Sequence, residues 1–223
     1  MNEAMIFTGR RILCLGAHPD DIELGCGALL HQMAALSDVL CVTLSDNQKN
    51  PELNHLVGEH YASMGVLGLP PEKVILGPFE TRRFPHARQE ILEYMLDIRR
   101  KFRPEIVLTH TRNDIHQDHN TVMEEALRAF RGATVLGFDV LRSSYGFFPN
   151  FLVEVSEEDV EKKIAALAEY KTYTNRYYFS PEITRSTLIR HGALAERPYA
   201  EGFDILRIVS VFGRPPETPQ VTP

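Results

Sequence analysis

The chain has 223 residues, 43% hydrophobic and 24% charged, with a formal net charge of -6. That length supports one sizeable core without staples, and the acidic balance, with a pI near 5.9, argues against nucleic acid or an anionic membrane as partner. No run approaches the ~18 apolar residues of a membrane span, and the N-terminal MNEAMIFTGRR lacks the apolar stretch of a signal peptide.

In chain order, Arg11 to Gly16 (RILCLG) is a short apolar run ending in glycine, which predicts a buried strand. The loop AHPDD follows, then apolar residues at helical spacing from Ile22 to Leu36. A second strand is predicted at Val39 to Leu44, a polar turn at Ser45 to Pro51, a helix at Leu53 to Met64 and a short strand at Lys73 to Leu76. Arg88 to Phe102 has helical periodicity, and Glu105 to Thr109 (EIVLT) is the third buried strand. A helix is predicted over Thr121 to Phe130, with Glu124 at capping-box spacing from Thr121. Strands at Thr134 to Gly137 and Phe151 to Val155 and a helix at Glu157 to Tyr170 follow. Strands alternating with helices imply an α/β, Rossmann-like fold, a mostly parallel sheet with helices on both faces. Residues 1–212 read as one domain and 213–223 as a proline-rich, disordered tail. Cys14, Cys26 and Cys41 are odd in number and form no CxxC pair, which suits free thiols in a reducing, cytoplasmic setting.

Two segments carry chemistry. Ala17-His18-Pro19-Asp20-Asp21 follows the first strand, and Asp114-Ile115-His116-Gln117-Asp118-His119 follows the third. In parallel sheets ligands sit beyond the carboxyl ends of strands, so both occupy the expected place. Either segment alone has a plainer reading as a turn or capped helix start; the two together point to a hydrolytic metal site. Such a site uses three His or carboxylate ligands and leaves a position open. His18 and Asp21 supply two, and His119 or His116 completes the set; the donors suit zinc and also ferrous iron. Asp20 is the natural general base. His116, as an imidazolium held by Asp118, could stabilise an oxyanion or protonate a leaving nitrogen. Gly25-Cys26-Gly27 begins like a dinucleotide fingerprint but lacks its third glycine, so close helix–strand packing explains it better. His31, His55, His60 and His86 have no partner at ligand spacing, and no serine has a nucleophile-elbow context.

With these residues in view the chain resembles the PIG-L/LmbE-type zinc-dependent N-acetylglucosaminyl deacetylases. AHPDDIELG and THTRNDIHQDH match the family's two signatures, and Tyr199-Ala200-Glu201-Gly202-Phe203 a weaker third. The resemblance implies a zinc-dependent N-acetyl amide hydrolase acting on an amino sugar, nucleotide sugar or sugar conjugate. It assigns the metal to His18, Asp21 and His119, the base to Asp20, the acid or oxyanion partner to His116 and its orienter to Asp118. The loop Ser45 to Asn50 departs from the family's Gly-Glu-rich form, and an arginine common in the next helix is not evident, so the substrate stays open. Arg82, Arg83, Arg131 and Arg142 are candidates for an anionic group on it, as is Glu201 for a supporting contact. Tyr145, Tyr173, Tyr177, Tyr178 or Tyr199 could polarise the carbonyl. Rival readings are an amidase on another N-acyl or thiol–sugar conjugate, or a metal-holding module without turnover. A homo-oligomer is compatible with the resemblance.

Overall fold

Apolar runs without polar alternation need cover on both faces, and the sheet provides it. The structure, a computed structural model, describes residues 6–47 and 50–210; the 213–223 tail lies outside them. Strands Arg11–Gly16 (β1), Asp38–Thr43 (β2), Val74–Leu76 (β3), Ile106–His110 (β4) and Thr134–Phe138 (β5) are parallel, and Phe151–Glu154 (β6) and Ala200–Arg207 (β7) complete a seven-stranded sheet in the order β3-β2-β1-β4-β5-β7-β6. β7 runs antiparallel to both β5 and β6. Strand order reverses between β1 and β4, which pair in parallel from Ile12↔Ile106 to Cys14↔Leu108. This switch point opens a crevice at their carboxyl ends, and both histidine segments enter it.

The helices are Asp21–Leu36 (α1), Leu56–Val66 (α2), Arg88–Phe102 (α3), Gln117–Ala129 (α4), Glu157–Leu167 (α5) and Pro181–Leu194 (α6). Alternate residues of one strand feed two cores. Ile12 and Cys14 pack with Ile22, Leu29 and Met64, while Leu13 and Leu15 pack with Ile91, Met95 and Val122. Each fully buried aliphatic side chain contributes about 1.5–3 kcal/mol, so the β1 run alone ties both helical layers to the sheet. All three cysteines are free and buried.

The predicted elements up to residue 170 are present, with two informative differences. α4 begins at Gln117, not Thr121: its cap is His116, in extended backbone, whose ring Nδ1 accepts the Asp118 N–H at 3.2 Å. The Thr121–Glu124 capping box does not form, because Thr121 lies inside the helix and its hydroxyl donates to the Gln117 carbonyl. Beyond Tyr170 the pattern predicts nothing, yet α6 and β7 form there. Ala200–Arg207 contains a glycine and no clean alternation. Its pairing comes from insertion between β5 and β6, and Gly202 is needed because a Cβ there would lie 2.7 Å from Pro149. Close packing does explain Gly25: a Cβ on it would stand 2.2 Å from the Phe138 ring of β5.

Candidate metal centre

Asp21 opens α1, and its carboxylate folds back over the loop that precedes it. Asp21 Oδ2 accepts the backbone N–H groups of Ala17 (3.0 Å) and His18 (2.7 Å). That locks the HPDD turn and leaves Oδ1 facing the second segment. Asp20 caps the helix with a left-handed backbone (φ 102°) and no side-chain cap bond. A non-glycine residue there costs about 1–3 kcal/mol of strain, which persists where surrounding structure demands it.

The two segments meet at four atoms of three residues, each histidine approaching a different oxygen of Asp21. His18 Nδ1 lies 3.3 Å from His119 Nε2 and 3.4 Å from Asp21 Oδ2, and His119 Nε2 lies 3.4 Å from Asp21 Oδ1. Zinc bonds of about 2.0–2.1 Å at tetrahedral angles place neighbouring ligand atoms about 3.3–3.4 Å apart. These separations are of that order, so the chemistry of the residues present suits such an ion. His18, His116 and His119, and Asp21, His110 and His119, also offer ligand atoms within 4.8 Å of one another. In those sets His110 Nε2 is already used, accepting the Ala17 N–H at 3.1 Å.

His18 and His119 each have a carboxylate behind the ring. His18 Nε2 donates to Asp118 Oδ2 at 2.9 Å, and His119 Nδ1 donates to Asp114 Oδ2 at 2.8 Å. A carboxylate can only accept, so the remote nitrogen keeps its proton and the other nitrogen is the one aimed inward, able to bind an ion on giving up its own proton. Burial opposes a proton on either inner nitrogen, but Asp21 and Asp114 outweigh it and lift His119 to about 10; Asp118 and Asp21 likewise raise His18. Asp21 is held well below the usual carboxylate range, because the His119 and His110 charges overcome its burial. Asp20 moves the other way, pushed well up by burial and by its neighbours Asp21 and Glu23.

Asp118 is a correction. Its carboxylate does not hold the His116 ring; it binds His18 and accepts the backbone N–H groups of Arg82 (2.5 Å) and Phe84 (3.2 Å). The Asp118 backbone N–H, not its side chain, meets His116 Nδ1. With Nδ1 accepting, neutral His116 carries its proton on Nε2. Burial and the positive His119 and His18 pull it down to about 4, the direction opposite to the expected imidazolium.

Arg131 does not join the site. It is exposed and precedes β5, at the end of the sheet opposite the carboxyl-end crevice, because the chain must return there to start a parallel strand. Glu201 is buried against the middle of α1, where it accepts the Ala28 and Leu29 N–H groups. Arg82 stands on the loop after β3 with a left-handed φ of 66°, exposed at the crevice. On the same loop Thr81 bonds Asn47 and Ser45, closing the β2 and β3 loops together. Arg142 follows β5, lies in the field of Asp20 and reaches the Tyr178 hydroxyl at 3.5 Å. Tyr199 is paired with Arg185 instead.

Two supporting residues had no role in the sequence reading. Asp114 accepts from Ser143 Oγ (2.9 Å) as well as His119, and its motif position as the first aspartate of D-x-H-x-D-H was the available signal. His110 stacks on His119 with centroids 3.9 Å apart; its place in the THTRNDIHQDH signature was the available signal.

Residues 13–130 match a family model described as PIG-L, GlcNAc-PI de-N-acetylase. The "uncharacterized deacetylase YaiS" of Escherichia coli is 30% identical over 168 residues, covering 72% of this chain and 90% of that one. The 1D-myo-inositol 2-acetamido-2-deoxy-alpha-D-glucopyranoside deacetylase of Salinispora arenicola is 26% identical over 188 residues, 69% of this chain, which spans 61% of that longer protein. Among solved structures, the conserved protein TT1542 of Thermus thermophilus shares the fold with a TM-score of 0.74 at 22% identity, covering 92% of this chain and 100% of that one.

Proposed function

This chain belongs to the PIG-L family, and from that premise we propose that it is a metal-dependent hydrolase that removes the acetyl group from an N-acetylated amino sugar conjugate. The observation that carries the reading is the convergence of His18 Nδ1, Asp21 and His119 Nε2 at ligand spacing. Fold alone would not specify a reaction. When bound there, zinc or ferrous iron supplies a Lewis acid that makes water nucleophilic near neutral pH.

The chain's own groups do the rest. Asp20, whose affinity for a proton is raised by its buried and acidic surroundings, takes the proton of the attacking water. Neutral His116 donates from Nε2 to the carbonyl oxygen as it gathers negative charge. Asp20 then returns its proton to the departing nitrogen, so acetate and a free amine leave with protons balanced. Asp118 and Asp114 keep His18 and His119 in their tautomers. The exposed apolar groups Ile115, Leu141 and Tyr145 sit on two loops joined by the Asp114↔Ser144 bridge, and they suit a substrate that carries more than a bare sugar. No helix among the described residues is long and apolar enough to cross a membrane.

The test is acetate and amine release across N-acetyl sugars, nucleotide sugars and sugar conjugates, with zinc and ferrous iron compared. Asp20→Asn is expected to keep its metal and lose turnover by about 10²–10⁴-fold. Full turnover in metal-loaded Asp20→Asn, or no acetate from any substrate, would falsify the assignment.

A further inference from the structure

α1 is two helices joined at Cys26, whose backbone (φ −143°, ψ 25°) is not helical. In a straight helix the Ala28 N–H would donate to the Leu24 carbonyl. Here that bond is replaced by an ion pair. Lys163 Nζ donates to the Leu24 carbonyl at 2.7 Å, Glu201 Oε1 accepts the Ala28 N–H at 3.1 Å, and Lys163 Nζ meets Glu201 Oε1 at 2.7 Å. Glu201 Oε2 also accepts the Leu29 N–H at 2.7 Å, so one carboxylate caps the restarted helix at its positive end.

The flanking glycines fit this insertion. A Cβ on Gly27 would stand 3.2 Å from Lys163 Cγ, so glycine admits the lysine stem, while Gly25 lets the first half of α1 close on Phe138. Lys163 and Glu201 are 5% and 1% exposed. A buried ion pair is seldom more stabilising than apolar groups of the same volume, so stability gives no reason for it. What apolar groups lack is direction: they can neither hold a carbonyl on one side of a break nor an N–H on the other. From the held carbonyl the connection is short, because the Leu24 N–H donates to the Asp20 carbonyl at 2.9 Å.

We propose that Lys163 and Glu201 are positioning residues for the metal centre, keeping α1 broken so that its first turn presents Asp20 and Asp21 at the crevice. This rests on the reading of that crevice as a metal site. The pair touches neither the metal-facing atoms nor the water, and acts through Leu24 and the backbone of α1.

The test is the double variant Lys163→Met/Glu201→Leu, which removes both charges and lets α1 close its own 24–28 hydrogen bond. Zinc affinity of the metal-free protein, read by chelator competition, is expected to fall about 10–100-fold, the range for groups that orient ligands. The thermal midpoint should stay near that of the wild type, and kcat should fall with little change in KM. Unchanged zinc affinity and kcat at an unchanged midpoint would overturn the proposal. If the double variant does not fold, Glu201→Gln serves: it keeps the side-chain shape and one acceptor, and wild-type zinc affinity in it overturns the proposal equally. A wild-type protein that binds no zinc, or an Asp21→Ala variant that binds it as well as the wild type, removes the site reading and the positioning pair with it.

Discussion

The stretch matched by the family model, residues 13–130, contains His18, Asp20, Asp21, His116, Asp118 and His119, whereas the last third of the chain meets the back of α1. There Lys163 and Glu201 enter the helix break, and the Tyr170 hydroxyl donates to Glu23 Oε1 at 2.5 Å, one turn past Asp20. The first region carries the candidate metal ligands and the groups around them, and the second packs on the helix that begins at Asp21. Reactive groups can be read as motifs because their chemistry restricts residue type. Groups that brace a backbone are restricted mainly by place.

The sharpest way to break this division is Asp21→Ala, which removes a proposed ligand atom and the acceptor for the Ala17 and His18 N–H groups. We expect loss of stoichiometric zinc in metal analysis of the purified protein, and retention at full occupancy would contradict the ligand set. Asp114→Asn keeps the shape but weakens the charge behind His119, and zinc affinity should drop about 10–100-fold, with a comparable loss in Asp118→Asn.

The last third supplies a stability test. Burial, helped by the Arg190 and Lys163 charges, lowers His191 to about 4, so it stays neutral in the fold. Above the unfolded pKa of about 6.5 neither state is protonated; as pH falls towards 4 the unfolded chain gains a proton that the native protein refuses. Stability should therefore fall across that window, by on the order of 3 kcal/mol at most. Urea unfolding at pH 7 and 4.5 should show a smaller loss in His191→Gln, and equal losses would sink the idea. The smallest effect belongs to Arg131→Ala: exposed at the opposite end of the sheet, it should leave kcat/KM and zinc affinity within twofold of wild type.

How far the molecule was legible follows the same line. Buried parallel strands announce themselves as unbroken apolar runs, so β1, β2 and β4 could be read directly, and α3 was expected with its observed limits. β7 could not, because an antiparallel insertion between β5 and β6 depends on partners distant in sequence. Spacing left His116 and His119 as alternatives; in the structure His119 Nε2 joins His18 and Asp21, while His116 caps α4 through Nδ1.

The sequence by itself determined which residue types could hold a metal and that both segments would stand at strand ends, since local order and apolar periodicity are enough for that. Only the tertiary structure decided which carboxylate stands behind which histidine. It sent Asp118 to His18 and Asp114 to His119, fixed the tautomer of His116 through a backbone N–H, and placed Glu201 inside a helix 172 residues away. Hydrogen bonds have direction and short reach, and the spacing of residues along the chain carries neither.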